Sequence, residues 1–163
     1  MRHSQPSTTD GEFIMRFTKF FSTDSAKAIK AEKFGYLNAI NYMAPNDSAS
    51  TDDFRFSLCS HASPGCIKLC LGMYSGQAAM VSDLEHGTNA VRESRIAKSR
   101  WFMEDRAAFM AEMTDHVRAM ARKAERERKI LVVRPNGSTD VAFEYVRTDD
   151  GQSLPVRFPT IQF

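Results

Sequence analysis

Every cysteine of this chain lies in one stretch, CSHASPGCIKLC, as Cys59, Cys66 and Cys70. Thiolates are soft ligands that select zinc, copper(I) or iron–sulfur clusters. Their spacing here is C-x6-C-x3-C. Three thiolates on a loop containing Pro64 and Gly65 can hold a 4Fe-4S cluster and leave one iron open to a small molecule. With His61 as a fourth ligand, the same loop reads instead as a Cys₃His zinc site. Two further readings stand beside these: thiols that are simply buried, as free cysteines often are, and a redox pair. The gathering of all three beside Pro64-Gly65 favours a metal or cluster, because burial alone gives cysteines no reason to cluster.

Two polar groups elsewhere have ligand-binding chemistry. Arg92 and Arg95 share one face at helical spacing, within a basic stretch that also holds Lys98 and Arg100. A guanidinium offers a planar fork for phosphate or for a cofactor carboxylate. The plainer reading is a solvated helix face with Glu93 nearby. Arg134, Asn136, Ser138 and Asp140 fall in the turn RPNGSTD, directly after an apolar run. Ligands of parallel α/β folds bind at the carboxyl ends of strands, which makes this turn a site candidate. Pro-Asn-Gly-Ser is also ordinary turn chemistry, with Asp140 as a local acceptor. His86 and His116 carry less, and His116 is expected at a helix surface or core edge. The chain has no Walker loop, no G-x-G-x-x-G, no G-x-S-x-G, and no His-x-His pair of the kind a rolling-circle nickase uses.

These groups need elements to position them. Residues Gly35 to Ala44, GYLNAINYMA, predict a strand that Pro45 ends. A polar loop then leads to the cysteines. A short helix is expected over Gln77–Leu84, and Gly87-Thr88 offers a break and an N-cap before NAVRESRIAKSRWF. From about Arg100 to Arg128 the pattern predicts one long amphipathic helix. Its apolar face is Phe102, Phe109, Met113, Val117, Met120 and Ala124, at spacings of three, four and seven. Ile130–Val133 is a continuous apolar run, expected as a strand buried on both faces. Strand, helix, strand is βαβ grammar, so the fold class expected is α/β: an open parallel sheet or a partial (β/α) barrel. The segment LPVRFPTIQF is expected to end in a further short strand at a sheet edge. An edge of that kind implies a truncated barrel, a second copy, or a partner covering it.

One domain over 15–163 is the natural division for a chain of 163 residues. Residues 1–14 read as a disordered extension, and Met15 as an alternative start. The hydrophobic fraction of 42% and charged fraction of 26% are those of a globular domain. A net charge of +2 argues against a sequence-blind electrostatic grip on nucleic acid. No apolar run is long enough to span a bilayer, and no secretory signal precedes Met15. An odd, clustered set of cysteines without such a signal points to a reducing cytoplasm rather than a disulfide framework.

Taken in order, LCSHASPGCIKLCLG, NAVRESRIAKSRWFMEDRAAFM and VVRPNGSTDVAFE resemble an uncharacterised family of bacteriophage proteins, some with replication-associated labels. The resemblance covers roughly Phe34 to Phe163 and implies the host cytoplasm as location. C-x6-C with Ser-Pro-Gly before its second cysteine also resembles the cluster loop of a phage family related to radical S-adenosylmethionine (SAM) enzymes. In that family the third cysteine follows after two residues, whereas Cys70 follows Cys66 after three. The usual radical-SAM spacing, C-x3-C-x2-C, differs at both gaps. This second resemblance implies a 4Fe-4S cluster, S-adenosylmethionine as cofactor, and action on nucleic acid or a nucleotide. It also implies a barrel in which Arg134, Asn136 and Asp140 sit at a cofactor-holding strand end, with this chain as its N-terminal part.

Overall fold

The computed structural model describes residues 17–70, 72 and 87–163, together with the backbone of two short strands, β1 (Ser7–Thr9) and β2 (Glu12–Ile14). β1 and β2 pair antiparallel, Ser7 opposite Ile14. Met15, His86 and the helix expected over Gln77–Leu84 lie outside the described residues.

The parallel pairing implied by the strand–helix–strand pattern is present. β3 (Tyr36–Ile40) and β4 (Ile130–Arg134) run side by side in register, from Tyr36 opposite Ile130 to Ile40 opposite Arg134. Among the described residues this sheet is open, with two strands, and does not form a barrel. Short segments extend both edges by single bridges. Ser22 exchanges both backbone hydrogen bonds with Ile40, at 2.8 and 3.0 Å. On the other side, Val133 N donates to Gln162 O at 2.7 Å. That bridge is what exists of the expected C-terminal strand. Leu154–Arg157 is instead a helical turn, α5. Pro155 explains the difference: its fixed φ suits the first turn of a helix, where its missing N–H costs nothing.

Ahead of the sheet, α1 (Ala26–Glu32) starts at Ser25, whose Oγ accepts from Ala28 N at 3.2 Å. The cysteine segment carries a five-residue helix, α2 (Pro64–Lys68). The helix expected from about Arg100 to Arg128 begins later, because residues 100–104 belong to the helix before it. α3 spans Ala90–Glu104 and α4 spans Arg106–Arg126. Asp105 between them leaves helical geometry (φ −140°, ψ 79°), and its Oδ1 caps α4 by accepting from Ala108 N at 2.9 Å. A short carboxylate competes with the backbone in this way, so it terminates one helix and starts the next. Asn89, rather than Thr88, caps α3, its Oδ1 accepting from both Val91 N and Arg92 N.

The apolar face read from the sequence is the core. Phe102, Phe109, Met113, Val117 and Ala124 are buried, and Met120 packs against them. Phe109 sits among the rings of Phe20, Trp101 and Phe102, each 5.2 to 5.3 Å from it. β3 and β4 contribute Leu37, Ala39, Leu131 and Val133 to the same core. β4 is buried on one face only: Ile130 is half-exposed and Arg134 exposed. Among the described residues the sheet has two strands, and the face carrying Ile130 and Arg134 lacks the cover that a doubly wound sheet would give it.

Candidate functional site

The carboxyl ends of β3 and β4 are joined by hydrogen bonds between residues far apart in sequence. Asn41, just past β3, donates its backbone N–H to Arg134 O at 2.9 Å and its side-chain Nδ2 to Pro135 O at 3.0 Å. Gly137 N donates to Asn41 O at 2.8 Å. A Cβ at Gly137 would fall 2.6 Å from the Tyr42 ring and 2.7 Å from Asn41 O, so only glycine lets the turn close on the strand. Ser138 Oγ donates to Met43 O at 2.7 Å.

The cysteine segment is tied to the same place. Asp140 N donates to Leu58 O at 2.9 Å, one residue before Cys59. Leu58 N reaches back to Asn46 O at 3.0 Å, and Asn46 N donates to Cys59 Sγ at 3.2 Å. Asn46 takes a left-handed φ of 51°, a conformation asparagine tolerates better than most residues. Cys59 is partly buried. That burial pushes its thiol up; donors from Asn46 and Asp140 pull the other way, while the charges of Cys70 and Asp140 add to the rise. Beyond Cys70, Gly72 lies so close to Ser138 that a Cβ on it would meet the serine Cβ at 2.7 Å.

Arg95 closes the group from α3. Its Nη1 donates to Gly72 O at 2.8 Å, and its guanidinium lies 4.9 Å from the centre of the Tyr42 ring. Burial lowers its pKa, opposed by Tyr42 and by Cys70. Its Nε is buried and has no hydrogen-bond partner among the described residues. Arg92, on the same face, donates to Gly87 O. The two arginines line a void of about 10 Å³ with Ser48 and Gly72, roughly the room one water needs.

The structure therefore brings Cys59, Cys70, Arg95 and Asp140 to one neighbourhood, with His61 at its exposed rim beside Asp140, and leaves others of the expected set apart. Cys66 is exposed on α2, its N–H capped by Ser63 Oγ at 3.2 Å. His61 is exposed, with Nδ1 3.0 Å from Ser60 Oγ and 3.7 Å from Asp140 Oδ2. Asn136 and Ser138 are framework. Asn136 Nδ2 donates to Val141 O, and its Oδ1 accepts from Thr139 Oγ1 and Val141 N. Arg134 is exposed at the mouth of a separate cleft. The donor types suit a thiolate-bound metal, but the side chains do not converge on one point. Among the described residues, no three or more of His, Cys, Asp and Glu are arranged to hold an ion.

Two residues here have a burial that the sequence reading did not anticipate. Ser99 is fully buried; its Oγ accepts from Ala44 N at 2.8 Å and donates to Arg95 O at 3.0 Å, locking α3 against the chain leaving β3. Lys98, read with its basic neighbours either as a phosphate- or carboxylate-binding stretch or as a solvated face, is buried. Its Nζ donates to Phe20 O at 2.6 Å and lies over the rings of Phe17 and Phe20. The available signal was spacing: Arg95, Lys98 and Ser99 share a stripe at three and four residues, next to the apolar Trp101-Phe102. His116 is at the core edge as expected, stacked on Phe20 and 3.2 Å from Glu112.

The arrangement defines an open α/β protein whose parallel strand pair carries a cysteine-bearing loop at its carboxyl end. Within that class, the chain belongs to the Gene product 88 family, a phage-type family whose model matches residues 18–163. No curated protein and no solved structure matches it. Among the described residues, no helix is long and apolar enough to cross a membrane.

Proposed function

We propose that this is a phage-type iron–sulfur protein, with Cys59, Cys66 and Cys70 as the cluster ligands and a radical-SAM-like use of the strand ends. One observation carries the reading: the Asp140–Leu58 hydrogen bond holds the cysteine segment at the carboxyl ends of both parallel strands, beside Arg95 and Asp140. Ligand sites of parallel α/β proteins are built at that end. Three cysteine ligands leave one iron of a four-iron cluster open, and Arg95, with its buried Nε and close enough to Cys70 to feel its charge, is placed to meet an anionic cofactor group. Cys66 has to turn inward from α2 to complete the set. α2 is five residues long and buries none of its side chains, so that movement costs little packing. The substrate class that goes with this reading is a nucleic acid or nucleotide. Recognition would rest on the site itself, since the net charge of +2 supplies no general grip.

The test is anaerobic reconstitution with iron and sulfide, followed by metal analysis and visible spectroscopy. The expected result is about four irons per chain, the broad absorption of thiolate-bound iron–sulfur clusters, and loss of both in Cys66→Ser. Stoichiometric zinc in a colourless protein overturns it. If zinc retention then falls in His61→Ala, the loop is a Cys₃His structural site.

A further inference from the structure

A cleft of about 350 Å³ opens beside the end of β4, separate from the cysteine loop. Its accessible apolar lining is Pro155 and Phe163, both exposed, with the half-buried Pro135; Phe143 and Leu154 back this wall and are almost fully buried. Two charged residues, Arg134 and Glu144, line the same cleft and are both exposed. Among the described residues neither side chain has an ion-pair or hydrogen-bond partner, and they do not pair with each other. Asn136, the remaining polar lining residue, already uses both ends of its amide within its own turn.

This combination is selective. A polyanion such as a nucleoside triphosphate would find one cation and be repelled by Glu144. A simple carboxylic acid would leave Glu144 without a partner, and a simple amine would leave Arg134 without one. A zwitterion with an apolar group satisfies all three features. The volume is at the small end for ligand sites, which suits one small molecule better than an extended chain.

We infer that the cleft binds a free α-amino acid with an apolar or aromatic side chain. Its carboxylate meets the planar fork of Arg134, its ammonium meets Glu144, and its side chain lies on Pro155 and Phe163. The inference goes beyond the cluster reading and needs no metal.

The experiment is calorimetry on the full chain without metal reconstitution. The probes are L-phenylalanine, L-leucine, 3-phenylpropionate (no ammonium) and phenethylamine (no carboxylate). Expected are binding of both amino acids and a loss of about tenfold or more for each truncated analogue, the size of a charge-assisted hydrogen bond. Arg134→Gln should weaken L-phenylalanine and leave residual phenethylamine binding unchanged. Glu144→Gln should weaken L-phenylalanine and leave residual 3-phenylpropionate binding unchanged. Both side chains are exposed, so circular dichroism of the variants should match the parent. The inference is overturned if neither amino acid binds, if an analogue binds as tightly as L-phenylalanine, or if both variants bind like the parent. Because the chain carries no metal in this measurement, failure of the cluster reading leaves its outcome unchanged.

Discussion

The helical core and the strand-end region are held by different physics. Around α4 the fold rests on apolar side chains at helical spacing, with Phe109, Met110, Met113 and Val117 at 0% exposure. At the carboxyl ends of β3 and β4 it rests on single hydrogen bonds and close backbone approaches: Asn41 to Pro135, Ser99 to Ala44, Ser138 to Met43, Gly137 against Tyr42. An apolar core spreads its free energy over many contacts and can partly repack. A hydrogen-bonded junction is specific, and removing one partner leaves a buried polar group unsatisfied. The first kind of region sets stability, and the second sets which residues meet.

Four substitutions sharpen that contrast. The largest effect is expected from Phe109→Ala, which removes a ring packed against three others and should cost about 3–5 kcal/mol. Urea titration measures it, and a loss below about 1 kcal/mol would show that α4 does not anchor the core.

Next is Lys98, where the two regions meet on α3. Burial, with a smaller push from Arg95, lowers its pKa from 10.5 to about 8. The unfolded chain therefore binds more protons between about pH 8 and 10.5, so unfolding free energy should rise with pH across that window. At full extent the rise is on the order of 3 kcal/mol. Below pH 8 the cost of the buried charge is fully present. Lys98→Met should abolish the rise, and an unchanged pH profile in that variant would assign it to another group.

Gly137→Ala should cost about 1–3 kcal/mol by forcing a methyl into Tyr42 and Asn41. Its more telling effect is on geometry: the turn should lift from β3, seen as faster amide exchange at Asn41 and Gly137 with the α4 amides unchanged. Ser99→Ala is smaller, about 1 kcal/mol, because Ala44 N keeps a second acceptor in Arg95 O at 3.2 Å.

The smallest perturbation is chemical labelling of the metal-free protein. Cys66 is exposed, while Cys59 is partly buried with its thiol pushed up, so iodoacetamide should modify Cys66 well before Cys59. Equal rates would mean the Asn46–Cys59 contact does not persist in solution.

Much of the core was legible because its signals are local. The face from Phe102 to Ala124 repeats within a few helical turns, and Ile130–Val133 announces a strand by its side chains alone. The Pro-Asn-Gly turn is legible for the same reason. The break at Asp105 was not, because the spacing of apolar residues runs through it and only a capping hydrogen bond marks it. The turn at Leu154–Arg157 was missed because a short apolar run suits strand or helix equally, and Pro155 tips it to helix. Lys98 carries a charge, and charge alone reads as surface; it is buried because Phe20 supplies a carbonyl to its ammonium and Phe17 and Phe20 supply ring faces.

By itself the sequence determined the α/β class, the buried face of α4, the parallel strand pair and a cysteine loop following the first of those strands. Each of these depends on residue type and spacing within a short window. Only the tertiary structure decided that Cys59, Cys70, Arg95 and Asp140 share one neighbourhood, that Asn136 and Ser138 are framework, and that Arg134 faces a different cleft. Those outcomes hang on hydrogen bonds between residues 55, 94 and 95 positions apart, which no local pattern encodes.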